Sequence, residues 1–325
     1  MAPPDAIVAP ASPDAWPVLP LDSWRDTYAT LHMWTQIVGK TRLALAPMEN
    51  HWWQIALYVT PRGLTTSAIP LGVRTFAVEF DFLDHQLYVR VSDRGTGAVP
   101  LVAQSVADFY GAYLGALQAL GLAVKIRPVP VEVVTAIPFA DDRQHASYDP
   151  DAATRCWRVM GQSDRVFKRF RGRFLGKQSP AHFFWGSFDL ATTRFSGRPA
   201  PLHPGGAPNC PDYVMQEAYS HECSSCGFWP GGGAIAEPAF YAYAYPAPDG
   251  YRDRAVRPER AFYSTAMGEF VLPYEAVRTA ASPDEMLLEF LQSTYEAAAD
   301  LARWDRASLD RPLAQWPRAR SPNDR

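Results

Sequence analysis

Apolar residues recur at helical spacing in four stretches of the chain and alternate with polar residues in most segments between them. The helical stretches cover residues 24–43, 105–120, 152–174 and 282–304. Strand-like segments follow the first of them, HWWQIALYVTPRGLTT, TFAVEFDF and QLYVRVS, and the third, HFFWGSFDLATTRFSG, AFYAYAYP, AFYST and EFVLPY. This order predicts an α+β protein with antiparallel sheets.

The order of helix, strands and helix occurs twice. Arg42 stands nine residues before His51, which opens His-Trp-Trp, and Arg173 stands nine residues before His182, which opens His-Phe-Phe. We therefore expect two similar helix–antiparallel sheet–helix halves, packed as a pseudo-twofold unit. A chance likeness between two α+β segments is the alternative.

Proline content predicts where these halves begin and end. Residues 1–20 contain six prolines and predict an extended Pro-rich arm. The first α+β half then spans 21–148 and the second 149–304, and the polar, Arg-rich residues 305–325 predict a flexible tail. Ser282-Pro283-Asp284-Glu285 predicts a capping box at the last helix.

The composition of the 325 residues narrows the class of protein. With 47% hydrophobic residues the chain can bury a core, and its net charge of −3 lacks the positive field of a nucleic-acid-binding protein. No window is apolar enough for a membrane helix, and the first twenty residues lack the apolar core of a signal peptide. We expect a cytoplasmic protein without nucleic-acid or membrane partners, whose four cysteines are reduced or bind metal.

Residues 196–238 form the longest interruption of the regular pattern, and about a third of them are Gly or Pro. Their centre, YSHECSSCGFWPGGG, is rich in Cys, His and aromatic residues, unlike a solvated linker. Long loops inside compact domains often carry function, so we expect a binding or active-site loop with Phe228 and Trp229 as an aromatic lid.

His182 and Asp189 are the first candidates for chemistry. In an ideal strand they point to opposite faces, and a bulge at Gly186 would bring them together. Asp189 is then a ligand or base. The alternative is a buried carboxylate paired with Arg194 or Arg173.

His221 and Glu222 are the second pair of candidates. Imidazole suits proton transfer or metal binding near neutral pH, so one hypothesis is a divalent transition metal held by His182, His221 and Glu222 or Asp189. Another is zinc at the cysteines, since His-x-Cys-x-x-Cys places His221, Cys223 and Cys226 close in sequence, with Cys210 upstream. An ordered loop with unligated thiols is the third.

Two helices carry further polar candidates. Tyr28, His32 and Gln36 lie along one helical face and either join the site or hydrogen-bond within the core. Arg173 belongs to a basic run on the third helix. It either neutralises an anionic substrate or forms part of a solvated basic face.

The segments WRDTYATLHMWTQIVGKTRLALAP, NHWWQIALYVTPRGL, SPAHFFWGSFDLATTRFSGR, AYSHE, GFWPGGG, EPAFYAYAYP and LLEFLQSTYEAAADLARWD resemble a family of bacterial proteins classed only as a domain of unknown function. The resemblance covers about residues 17–306 and implies a single folded unit. It implies no activity and no cofactor, and the cysteines beside His221 are not part of the shared pattern.

These observations favour an enzyme that acts on a small organic molecule. We expect catalysis from His182 and His221 as proton donor and acceptor or metal ligands, with Asp189 or Glu222 as the carboxylate and Arg173 as anion clamp. The pocket would lie between the halves and be lined by Trp53, Phe184, Trp185, Phe228 and Trp229. A non-catalytic protein that binds a small molecule in the same aromatic pocket is the alternative.

Overall fold

The computed structural model describes residues 15–233 and 235–311. Within these ranges the α-helices are α1 (Arg25–Leu45), α2 (Val106–Ala119), α3 (Pro150–Arg171), α4 (Asp212–Ala218), α5 (Tyr274–Arg278), α6 (Pro283–Leu301) and α7 (Arg306–Leu309). None of these helices combines the length and apolar character needed to span a membrane. Residues 1–14 of the expected arm and 312–325 of the expected tail lie outside the described residues.

Two antiparallel sheets of six strands each confirm the α+β class. The first sheet contains β1 (Tyr58–Val59), β2 (Gly63–Thr65), β3 (Ile69–Leu71), β4 (Arg74–Asp81), β5 (Gln86–Val91) and β6 (Thr96–Pro100), in the order β1-β2-β4-β5-β6 with β3 paired to β4. The second contains β7 (His182–Phe184), β8 (Asp189–Pro199), β9 (His221–Trp229), β10 (Ala239–Tyr245), β11 (Phe262–Ser264) and β12 (Glu269–Pro273), in the order β11-β12-β10-β9-β8-β7.

The two sheets meet at an edge of each. Leu57, just before β1, and Phe183 in β7 exchange backbone hydrogen bonds of 2.9 and 2.8 Å. The indole N–H of Trp185 also donates to the carbonyl of Ile55 at 2.9 Å. Because both contacts join residues from the two halves, the segments around them are held together.

The second sheet has one apolar and one polar face. On the apolar face Phe228 and Phe240 pack beneath α3 and α6, and the buried Arg194 guanidinium lies 3.4 Å from the centre of the Phe170 ring. The opposite face, which we call the polar face, carries Asp189, Thr193, Ser225, Tyr241, Tyr243 and Glu269. A 3₁₀ turn at Asn50–Ile55 and α4 lie over part of it.

The prediction that residues 196–238 form a long loop is largely wrong. Its centre, His221–Trp229, is β9, which lies between β8 and β10 inside the second sheet, with Cys223 through Phe228 buried. Phe228 therefore belongs to the core and forms no lid. Within the described residues, 200–211, 219–220, 230–233 and 235–238 connect elements without forming a helix or a strand of several residues.

The ends of the folded unit extend beyond the predicted boundaries. Trp16 is buried and packs on Phe240 and Tyr274, so the unit begins before residue 21. At the other end, Leu309 accepts a hydrogen bond of 2.6 Å from the amide of Leu175.

The capping box predicted at Ser282 is absent, since this side chain makes no capping hydrogen bond. Asp284 and Glu285 instead pair with Arg165 and Arg169 of α3, the glutamate at 2.6 Å.

The proposed duplication is supported only in its coarse order of helix, sheet and helix. His51 lies in the 3₁₀ turn with a φ of 59°, whereas His182 opens strand β7. The two histidines therefore occupy different local structures, and the pseudo-twofold relation stays a prediction.

Candidate functional site

The polar line along α1 positions two segments of the site. His32 Nε2 lies 2.8 Å from the carbonyl oxygen of Gly186, and burial lowers the pKa of His32 to about 4. The neutral ring therefore donates this hydrogen bond. The Gln36 amide donates to and accepts from the backbone of Val131, both at 2.8 Å. These contacts fix the turn between β7 and β8 and the segment around residue 131.

A cavity of about 280 Å³ opens beside these segments, and we call it the Lys40 pocket. Its wall is formed by the end of α1, the 3₁₀ turn, residues 125–132, Trp185 and residues 210–214. Both halves of the chain contribute, as expected for a site between them. The charged, thiol and aromatic side chains of the wall are Lys40, Trp52, Lys125, Arg127, Glu132, Trp185, Cys210 and Tyr213.

Aromatic rings form the fixed part of the wall. The Trp52 indole donates to the carbonyl of Val214 at 2.9 Å, and its ring lies 6.0 Å from that of Tyr213. Trp185 is 3% exposed and packs directly on Gly39 of α1. A Cβ atom at residue 39 would overlap the indole, so this approach requires glycine.

Lys40 is the least expected group in the pocket. The residue is 3% exposed, and among the described residues its ammonium has no hydrogen bond and no ion pair. It lies 5.5 Å from the centre of the Trp185 ring. Burial, reinforced by the charge of Arg127, lowers the pKa of Lys40 to about 8.

Positive charge outweighs negative charge around the cavity. Lys125 and Arg127 are exposed, and neither is ion-paired within the described ranges. Glu132 is the one carboxyl group that the described residues place in the wall. Part of the Glu132 residue is exposed to solvent, whereas its carboxyl group is surrounded by protein atoms. This burial, and secondarily the charge of Asp189, raises the pKa of Glu132 to about 7.

Asp189 does not line the pocket, but its charge acts on Glu132 of the wall. Its carboxylate accepts hydrogen bonds from the hydroxyls of Ser187 and Tyr241, and burial raises its pKa although these bonds oppose the shift. Burial and the charge of Asp189 also raise the pKa of Glu269 to about 7. Carboxyls that resist ionisation in this way are suited to hold or pass a proton near neutral pH.

Comparison with known proteins places the chain in a family. The model of DUF5996, a family of unknown function, matches residues 16–311. The chain belongs to the DUF5996 family. It matches no curated protein and no solved structure.

The turn of the β7–β8 hairpin explains how this DUF5996 chain brings His182 and Asp189 onto one face. Phe184 pairs with Asp189 and His182 pairs with Ala191, so no bulge is needed at Gly186. His182 is fully buried among aromatic rings, and burial lowers its pKa to about 3. Neither ring nitrogen has a partner among the described residues.

The four residues predicted for catalysis do not converge. His182 pairs with Ala191 of β8, and His221 lies four residues further along β8 and then two residues further along the neighbouring β9. At 3.3 Å per residue, these six residues separate the two histidines by about 20 Å along the sheet. Glu222 instead pairs with Arg198 at 2.6 Å. Asp189 also lacks the predicted arginine partner, because Arg194 points to the other face of the sheet.

The predicted metal sites do not fit this geometry either. His182, His221 and Glu222 are too far apart to share one ion, and no group of three His, Cys, Asp or Glu within residues 15–233 and 235–311 is placed to hold a metal. Cys223 and Cys226 are three residues apart on β9 and therefore point to opposite faces.

Of the four predicted substrate-binding residues, only Trp185 lines the Lys40 pocket. Arg173 lies in a separate groove beside Ser282. Phe228 is buried in the core, and Trp229 is the last residue of β9 and lies near Gly232. Trp53 and Phe184 lie against His182 instead, so the five predicted aromatics share no single pocket.

The sequence contained a signal for Lys40. Tyr28, His32, Gln36 and Lys40 follow one another at intervals of four, so the polar line of the first three residues continues to Lys40 one turn later. Arg127, Glu132 and Trp52 carry no such signal, because only the folded chain brings their segments to α1.

Proposed function

We propose that this DUF5996 protein binds a small organic anion with a flat apolar body in the Lys40 pocket. The observation that carries the proposal is Lys40 itself, a residue that is 3% exposed and whose ammonium faces a cavity without a partner among the described residues. Burying an unpaired charge is costly. A ligand carboxylate or phosphate in the cavity would supply the missing partner.

The rest of the wall supports an anion with an aromatic or other flat body. Arg127 and Lys125 add positive charge, whereas Glu132, with a pKa of about 7, is only partly charged at neutral pH. Trp52 and Trp185 offer rings held by hydrogen bonds to backbone carbonyls. The volume of about 280 Å³ is at the lower end for small-molecule sites and suits a single ring better than a dinucleotide.

Isothermal titration calorimetry with four related compounds would test the proposal. We expect benzoate and phenyl phosphate to bind, benzyl alcohol to bind more weakly, and benzylamine not to bind. Lys40→Met should weaken benzoate binding by about tenfold or more, since a hydrogen bond to a charged group is worth about 1.5–3 kcal/mol. The control is Lys168→Met, because Lys168 is exposed on the outer face of α3 and pairs with Asp164.

Equal affinity for benzyl alcohol and benzoate would refute an anion site. Unchanged benzoate binding by Lys40→Met would refute the role of the lysine.

An enzyme that acts on the bound molecule is a second candidate function, and Glu132 favours it. This carboxyl group lines the pocket, and its pKa of about 7 suits a general acid or base at neutral pH. This proposal assigns proton transfer to Glu132 and not to the predicted His182, His221 and Glu222. The role of Asp189 is to help raise the pKa of Glu132.

Deuterium exchange from D₂O into the methylene group of phenylpyruvate, followed by proton NMR, would test the enzymatic proposal. We expect exchange above the protein-free rate and its loss in Glu132→Gln. Exchange that is absent, or equal in the two proteins, would contradict it.

A further inference from the structure

We infer that Lys40 forms an imine with a carbonyl group of the molecule that enters its pocket, so that the ligand class is an aldehyde or ketone that also carries an acidic group. The inference rests on the proposed function, because the acidic group is what the cationic wall would hold. It adds a covalent role for the lysine.

The placement of Lys40 favours nucleophilic chemistry over a structural role. A structural lysine normally pairs, as Lys168 does with Asp164 and as Lys177 does with His51 Nε2 at 2.7 Å. Lys40 has no such partner within the described chain, yet it lines a cavity. It also projects from a long helix whose buried face holds it in place.

The groups around Lys40 keep part of it neutral. Burial and Arg127 lower the pKa of Lys40 to about 8, with Cys210 acting weakly in the opposite direction. Among the described residues, Lys125, Glu132 and Tyr213 are the other ionisable groups in the wall. At pH 7 about one amine in ten is then neutral, against fewer than about one in a thousand for an ordinary lysine of pKa about 10.4. The neutral amine is the nucleophile.

The reaction balances without an external oxidant or reductant. The Lys40 nitrogen attacks the carbonyl carbon and forms a C–N bond, while the carbonyl oxygen takes a proton from the nitrogen and becomes a hydroxyl group. The C–O bond then breaks, and the hydroxyl leaves as water with the second amine proton. The products are an imine and one molecule of water.

The neighbouring thiol does not compete. Burial and then Glu132 raise the pKa of Cys210 to about 11, so this thiol stays protonated at neutral pH. A protonated thiol is a poor nucleophile. Arg127 and Lys125 remain available for the acidic group of the ligand.

Reductive trapping would test the inference directly, because the chain has only four lysines, Lys40, Lys125, Lys168 and Lys177. The full-length protein is incubated at pH 7 with 4-carboxybenzaldehyde and sodium cyanoborohydride, which reduces imines in preference to aldehydes. Peptide mapping by mass spectrometry then compares the four sites. We expect Lys40 to be labelled about tenfold or more faster than the other lysines, because it is partly neutral and lines the cavity. This includes Lys177, whose pKa burial also lowers but whose amine is hydrogen-bonded to His51.

Two controls separate this inference from the proposed function. Lys40→Arg keeps the positive charge but cannot form the adduct, and a thermal melt checks that it folds. 4-Carboxybenzyl alcohol has a similar shape and the same charge but no aldehyde group, and calorimetry reports its binding.

Labelling confined to Lys125, Lys168 and Lys177, or equal at all four lysines, would overturn the imine. If the alcohol binds while Lys40 stays unlabelled, the anion site stands and the imine is wrong. If the alcohol does not bind and Lys40 is not labelled, both are wrong.

Discussion

Replacing Lys40 by methionine should make the protein more stable, although it removes the residue that we place at the centre of the site. Methionine has a similar length and no charge, so it can occupy the same buried space. The lysine has no partner among the described residues to offset the loss of its hydration. The lysine at this position therefore lowers the stability of the folded protein while serving the proposed function.

The pKa of Lys40 gives the size of the effect. Its folded value of about 8 lies below the value of about 10.4 for an unfolded lysine, and each unit corresponds to about 1.4 kcal/mol. The penalty is about 3 kcal/mol at pH 7. The contact with the Trp185 ring, 5.5 Å from the ammonium, returns about 0.5–1 kcal/mol of this. We therefore expect Lys40→Met to raise the free energy of unfolding by about 2 kcal/mol.

The sign of the pH dependence follows from the same two pKa values. Below pH 8 the lysine is charged in both states and the penalty is fully present. As the pH rises from about 8 towards 10.4, the folded lysine is neutral while the unfolded one is still charged, so the penalty disappears. The advantage of the variant should fall to about 1 kcal/mol at pH 9.5.

Urea unfolding of both proteins at pH 7 and pH 9.5 would measure this difference. Lys125→Met is the control, since Lys125 is exposed and should change stability by less than about 0.5 kcal/mol. A Lys40→Met protein that is less stable than the wild type at pH 7 would refute the reasoning. An advantage that does not decrease with pH would do the same.

Three further predictions address the frame of the site. Gly39→Ala should destabilise the protein by about 1–3 kcal/mol and weaken benzoate binding, because the added methyl group displaces Trp185; thermal melts and calorimetry would show this. Glu269→Gln should leave stability unchanged at pH 4 and raise it at pH 8, because the penalty on the ionised carboxyl grows as pH rises from about 4.3 to 7; urea midpoints would show it. His221→Ala and Glu222→Ala should leave benzoate affinity unchanged in calorimetry, since neither residue lines the pocket.

The long helices and most strands were predictable because a helix or strand with one buried face leaves a periodic trace. The range predicted for the third helix, 152–174, lies close to the observed Pro150–Arg171. Alternation in AFYAYAYP likewise matches β10, which has Phe240 and Ala242 on its apolar face.

Strand β9 could not be predicted in this way, because it is buried on both faces and built from small residues. Ser224, Ser225 and both of its cysteines are buried, so apolar and polar positions do not alternate. Ser225 is satisfied by the hydroxyl of Thr193 on the neighbouring strand, 2.9 Å away. The sequence shows the glycines and prolines that flank β9, but the partners that make the strand stable lie on β8 and β10.

The candidate site, too, could be predicted only in part from the sequence. His32, Gln36 and Lys40 occur on one helix at a spacing that the sequence shows, and each faces a different segment of the folded chain. The partners of His32 and Gln36, Gly186 and Val131, lie 154 and 95 residues away along the chain. Helical spacing can therefore identify one wall of the pocket. The groups on the opposite wall could not be predicted, because the backbone hydrogen bonds between Leu57 and Phe183 fix the second half against α1 only in the folded chain. A search for sites in such a protein should follow polar residues at intervals of four on buried helices, since an unpaired charge there is costly unless something else compensates it.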